Sequence, residues 1–192
     1  SVYRRLETFA FSTSLHHITH ILKEDNLSQV LAVLSSLVPD WSGGTKIGTS
    51  LHTFLEHYGT GMVDRNTVVL IMSDGWDTGD IETLEHSMDE IQRRARCLVW
   101  LNPLMGSPEY QPTCRGMQAA LPFIDIFAPA HNLESLRQLV RHLGAIQRGT
   151  ARLKMDPFRR FDESAPAAPA PAPKLEEKVD RQAWLNRFGI TT

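Results

Sequence analysis

Three observations predict an open, mostly parallel, doubly wound α/β domain, Rossmann-like, with helices on both faces of its sheet. Two near-continuous apolar runs, "TVVLIMSDG" and "CLVWLNP", have the composition of strands buried on both faces. Segments with apolar residues at helical spacing stand before, between and after them. Both runs end in polar residues, which puts chemistry at the carboxyl ends of the strands, where such folds bind their ligands.

The elements follow in order. "RLETFAFST" alternates Leu6, Thr8 and Ala10 against Glu7, Phe9 and Phe11, and "LHHITHI" follows closely enough to be its hairpin partner or an extended arm. "SQVLAVLSSL" places Val30, Leu31, Leu34 and Leu37 at helical spacing, with Asn26 or Ser28 as the cap. "IGTSLHTFLEHY" repeats the arrangement with Ile47, Leu51, Phe54 and Leu55 on one face. After the first buried strand come a helix in "IETLEHSMDEIQRRA", the second buried strand, and a short helix near "GMQAALP". A strand in "IDIFAP" and a last helix in "NLESLRQLVRHLG" complete the pattern.

Composition bounds the function classes. Lys and Arg number 20 against 22 Asp and Glu, so the net charge carries no basic nucleic-acid footprint. Neither a signal peptide nor an apolar run of about 18 residues is present. No membrane span is expected, and a cytoplasmic setting is the default. Cys97 and Cys114, one in an apolar run and one in a polar loop, fit reduced thiols better than a disulfide framework. The composition shifts along the chain predict a domain over residues 1–147, an Ala/Pro-rich linker over 148–174 and a short amphipathic segment over 175–192. That last segment reads as a docking peptide or a frayed terminus.

Two loops converge on the predicted rim. Asp74 follows the first buried strand directly, between Ser73 and Gly75, and Thr45 lies in "PDWSGGTKIGTSL" just before a helix. A hydroxyl and a carboxylate meeting from separate loops suit a hard cation such as Mg²⁺, with positions left for water or a partner. Each also has a plainer explanation: Thr45 as the cap of its helix, Asp74 as the maker of an Asp-Gly turn. Asp77 and Asp80 read as solvated loop acids or helix caps. A phosphate loop fails on spacing, because "GGTKIGTS" has Thr49 where the P-loop pattern needs lysine. "SDGWDTGD" likewise lacks the D-x-D-x-[TV] of aspartyl phosphotransferases.

The segments "FAFST", "DWSGGTKIG", "IMSDGWDTGD", "VWLNP", "YQPTCRGMQAALPFID" and "HNLESL", in that order, resemble the CoxE-like family of von Willebrand factor A (VWA) domains. The resemblance covers Leu6 to about Leu143. It implies a metal-ion-dependent adhesion site (MIDAS) in which a D-x-S-x-S loop, a threonine and an aspartate surround Mg²⁺ or Mn²⁺ and a partner's carboxylate completes the shell. Thr45 takes the threonine position and Asp74 the aspartate position. Gly43 and Gly44 shape the threonine loop, Ser73 and Gly75 flank the aspartate, and Trp41, Ser42 and Trp76 wall the metal loop or face a partner. The implied role is a non-enzymatic adaptor working with a MoxR-type AAA+ ATPase to mature a client metalloenzyme, such as carbon monoxide dehydrogenase. The alternative is a Mg²⁺-dependent hydrolase or phosphotransferase using Asp74. Only five residues precede Leu6, and none of them supplies D-x-S-x-S. The expectation is therefore a chain truncated at its amino terminus, without the first central strand of the sheet, with an incomplete metal site and unpaired neighbouring strand edges.

Other candidates are weaker. His16 and His20 share a face of an extended segment while His17 points away, and nothing completes a metal set. Cys114 stands beside Arg115, a neighbour able to lower a thiol pKa, but no base accompanies it. Trp100, within the second buried strand, reads as packing.

Overall fold

The computed structural model describes residues 5–143 apart from 25, 38–43, 108, 133–135, 138 and 142. Trp41, Ser42 and Gly43, the predicted boundaries at 147 and 174, the Ala/Pro-rich linker and the terminal amphipathic segment lie outside the described residues.

The first described element is a hairpin. β1 (Phe9–Phe11) pairs antiparallel with β2 (Leu15–His17), with Ala10 opposite His16, so the hairpin alternative holds over the extended arm. Aromatic contacts seat it: the Phe9 ring stacks on His17 at 4.6 Å and meets Phe54 edge-on at 5.2 Å. α1 (Leu27–Leu37) is capped by Asn26, whose Oδ1 accepts from the Ser28 and Gln29 amides at 3.0 and 3.3 Å. Val30 packs with Ile18 and Ile21, and Leu34 leans on them, whereas Leu31, predicted for the same stripe, is 54% exposed.

The main sheet is parallel, in the order β3 (Val68–Met72), β4 (Cys97–Asn102) and β5 (Ile126–Pro129). One face is covered by α2 (Ile47–Phe54) and α4 (Ile81–Arg94), whose Ile47, Leu51, Leu84, Met88 and Ile91 form the main core with Leu98 and Trp100. A π-helical turn, Leu55–Gly59, carries α2 into the short α3 (Thr60–Met62). α5 (Arg115–Ala120) adds Met117 and Ala120 to the same core. The other face carries Val99, Leu101, Ile126 and Ala128 under Leu136, Leu139 and Leu143, in the expected last helix. Burying each such aliphatic side chain contributes roughly 1.5–3 kcal/mol, so β4, buried at all six positions, anchors the domain.

β3 departs from the expectation of burial on both faces. Its Ile71 is buried in the main core, with Val69 packed against it, but Leu70 is 44% and Met72 54% exposed. Among the described residues β3 pairs only with β4, and only its Val68 joins the cluster under the last helix. An apolar run shows that a strand is suited to burial; which faces are covered depends on neighbours that the run does not encode.

Candidate metal centre at the carboxyl rim

The Asp74 loop leaves β3 over the carboxyl end of β4 and is held from below by buried side chains. The Trp100 indole Nε1 donates to the Ser73 carbonyl at 2.9 Å. Asn102, fully buried at the end of β4, donates through Nδ2 to the Asp74 carbonyl at 3.2 Å and to the Tyr110 hydroxyl at 2.7 Å. Its Oδ1 accepts from the Leu104 amide at 2.8 Å. The Ser73 amide continues the ladder to the Leu101 carbonyl at 3.0 Å. Gly75 turns the chain at φ +84°, where a side chain would collide with Met117.

Within this loop Asp74 does make the Asp-Gly turn, but with one oxygen only. Its Oδ1 accepts from the Trp76 amide at 3.0 Å, and Oδ2 has no hydrogen-bond partner among the described residues. Trp76 is 51% exposed beside it, whereas Trp100 is fully buried and both packs and orients the loop.

Thr45 arrives from the other side. Gly44, at φ +79°, bends the chain so closely over Thr78 that an added Cβ would lie 2.7 Å from its Cγ2. Thr45 then forms a parallel bridge with Asp77, and its carbonyl accepts from the Thr78 amide at 2.8 Å and the Thr78 hydroxyl at 3.1 Å. The Lys46 amide donates to the Ser12 carbonyl at 2.8 Å, tying this loop to the hairpin as well.

Thr45 does not cap α2. The residue before the helix is Lys46, which makes no side-chain cap bond, and the first helical amide, Ile47, donates instead to Asp77 Oδ1 at 2.7 Å. Of the two readings of Asp77, the helix cap holds and the solvated loop acid does not: the cap is supplied across the chain, with Asp77 only 7% exposed. Asp80 behaves as expected, capping α4 through the Thr83 amide and hydroxyl, which hold its carboxyl below the usual range. A shallow depression lined by His52, Asp80, Glu82, Thr83 and His86 contains neither Thr45 nor Asp74.

Arg115 does not lower the Cys114 thiol pKa, the effect its place in the sequence would allow. Burial first, and then the nearby Asp74 charge, push its thiol pKa up. The Arg115 guanidinium donates to the Gly79 carbonyl at 2.5 Å. The Cys114 thiol donates to the Gly75 carbonyl at 3.3 Å, one more tie on the Asp74 loop. Burial, and then Cys114, likewise push the Tyr110 hydroxyl up, so it stays a neutral partner for Asn102. Neither cysteine is in a disulfide. Among the histidines, His17 is held by Glu7 at 2.8 Å and meets His20 edge-on at 6.5 Å, so the pairing differs from the predicted His16 and His20.

Among the described residues no group of three or more His, Cys, Asp or Glu is placed to hold a metal ion. The rim residues carry two hard oxygen donors, the Thr45 hydroxyl and Asp74 Oδ2, neither with a hydrogen-bond partner among the described residues. In donor type these fit Mg²⁺ or Mn²⁺ and do not suit softer, thiolate-preferring metals.

The family described as VWA domain containing CoxE-like protein matches residues 1–136. The chain belongs to that family. Its parallel sheet with flanking helices is a partial VWA fold, and the VWA assignment carries a protein-interaction role. No curated protein and no solved structure matches the chain. Among the described residues no helix is long and apolar enough to cross a membrane.

The roles of Asn102 and of the Trp100 indole, and the burial of Asp77, are not foreseen from the sequence. A polar Asn closing an otherwise apolar strand, directly before Pro103, was the available signal for Asn102.

Proposed function

We propose that this VWA domain is a cytoplasmic, non-enzymatic adaptor whose Thr45 and Asp74 contribute to a MIDAS-type Mg²⁺ or Mn²⁺ site that captures a partner's carboxylate. The observation that carries the reading is the displacement of Thr45 from helix capping: Asp77 performs that task, and among the described residues the Thr45 hydroxyl has no hydrogen-bond partner. Asp74 similarly spends one oxygen on its turn and keeps the other. The remaining positions of the cation fall to water, to the partner and to the D-x-S-x-S oxygens of the family pattern. A bound cation would supply positive charge to an incoming carboxylate, and the exposed Trp76 would give the partner an apolar surface beside it. By family resemblance the partners are a MoxR-type AAA+ ATPase and a client metalloenzyme such as carbon monoxide dehydrogenase.

The test is capture of a purified MoxR-type ATPase with and without Mg²⁺. Thr45→Ala and Asp74→Ala should each abolish the Mg²⁺-dependent part of capture while the circular dichroism spectrum stays unchanged. Undiminished capture by both variants would refute the metal bridge. Turnover of a phosphate ester that disappears in Asp74→Asn would favour the Mg²⁺-dependent hydrolase or phosphotransferase instead.

A further inference from the structure

We propose that Asp77 is a positioning residue of this cation site and that the charge on its carboxylate raises the site's affinity for a divalent ion. The inference rests on the metal-site reading above and adds a second carboxylate beside its Asp74.

Asp77 is 7% exposed, and its Oδ2 has neither solvent nor a hydrogen-bond partner among the described residues. A carboxylate accepts up to about four hydrogen bonds, and burying one that is poorly satisfied costs several kcal/mol. The Ile47 amide and the positive end of α2 offset part of that cost, the helix end being equivalent to about half a charge. Capping alone needs no charge, since Asn or Ser caps about as well as Asp. A buried carboxylate at this position therefore exceeds what the helix requires.

Its placement indicates where the excess is used. Asp77 is the bridge partner of Thr45, and partners across a bridge present their side chains to the same face. It also lies in the loop that carries Asp74, so one residue joins both limbs of the site. Gly116 lies beneath it, where an added Cβ would sit 2.9 Å from the Asp77 Cβ, which leaves the side chain little freedom to swing out to water.

A second buried aspartate separates location from burial. Asp125 is 2% exposed, uses Oδ2 to accept from the Leu98 amide at 2.8 Å, and leaves Oδ1 without a partner among the described residues. It precedes β5 at the opposite, amino-terminal end of the sheet. An unpartnered buried oxygen is thus common to both ends of the strands. Only Asp77 is bonded into the rim that carries Thr45 and Asp74.

The experiment is calorimetric titration of the 192-residue chain with Mn²⁺ alone, comparing wild type, Asp77→Asn, Asp77→Ser and Asp125→Asn. Both Asp77 variants keep a capping oxygen, so the metal-free melting temperature should change little while Mn²⁺ affinity falls about 10-fold, as for other groups that orient metal ligands. Asp125→Asn should leave the affinity unchanged. Wild-type affinity in either folded Asp77 variant would overturn the proposal and reduce Asp77 to a helix cap. An absence of Mn²⁺ binding by wild type would instead bring down the metal-site reading itself, and this inference with it.

Discussion

The two limbs of the rim are built differently. The Asp74 limb is fixed from beneath by side chains of the most buried strand, Trp100 and Asn102, and by Cys114, just before α5, all of which bond to its backbone. The Thr45 limb is held mainly by backbone bonds to Thr78 and Ser12 and by the remote cap on Ile47. Side chains locked in a core hold a loop in one place, whereas a loop tied at its edges through single bonds can shift by a fraction of an ångström. Among the described residues the backbone of the Asp74 limb is thus the more rigid of the two, and that of the Thr45 limb the more adjustable.

The largest effect should come from undercutting the rigid limb. Trp100→Ala removes a fully buried indole and the bond to Ser73, and urea unfolding should show a loss of about 3–5 kcal/mol. A loss near zero would mean that β4 does not support the loop. Asn102→Leu keeps the bulk but strands the Asp74 carbonyl and the Leu104 amide, so a cost of about 2 kcal/mol is expected, with faster amide exchange at Gly75 and Trp76. On the adjustable limb, Thr78→Val deletes one hydroxyl bond to the Thr45 carbonyl while the amide bond remains, and should cost only about 1 kcal/mol. A Thr78→Val penalty equal to that of Asn102→Leu would erase the contrast between the limbs.

The smallest effect lies in the hairpin, away from both limbs. Arg5 first, then His17 and Thr19, hold the Glu7 carboxyl at about 2 against an ordinary value of 4.5. A carboxyl depressed on folding stabilises the native state above its unfolded pKa, and the contribution is lost as pH falls through the folded value. Acidification from pH 4.5 towards 2 should therefore loosen β1 and β2 in hydrogen exchange, and Glu7→Gln should flatten that dependence. Because the group lies in the hairpin and keeps part of its surface in solvent, the change should be local and leave β4 protection unaltered.

The sequence made the rigid half of this picture more legible than the adjustable half. "CLVWLNP" announces a buried strand through composition alone, and Asp74 follows a β-branched run closely enough to be placed on its rim. Asp77 could not be read the same way, since its burial comes from Ile47 and Gly116, which lie 30 and 39 positions away in the chain. The same nonlocality explains Cys114, whose neighbour in sequence, Arg115, turns to the Gly79 carbonyl while burial sets the thiol. Leu70 and Met72 show the limit of an apolar run: it specifies a strand but not the cover over each face.

The central claim is that Thr45 and Asp74 together favour a divalent cation. Thermal unfolding of the 192-residue chain, with and without millimolar Mn²⁺, in wild type, Thr45→Ala and Asp74→Ala, tests it most directly. The account predicts an upward shift of the melting temperature by Mn²⁺ in wild type that is lost in both variants, since a ligand bound only by the folded state stabilises it. A shift of equal size in all three proteins, or none in wild type, would contradict it.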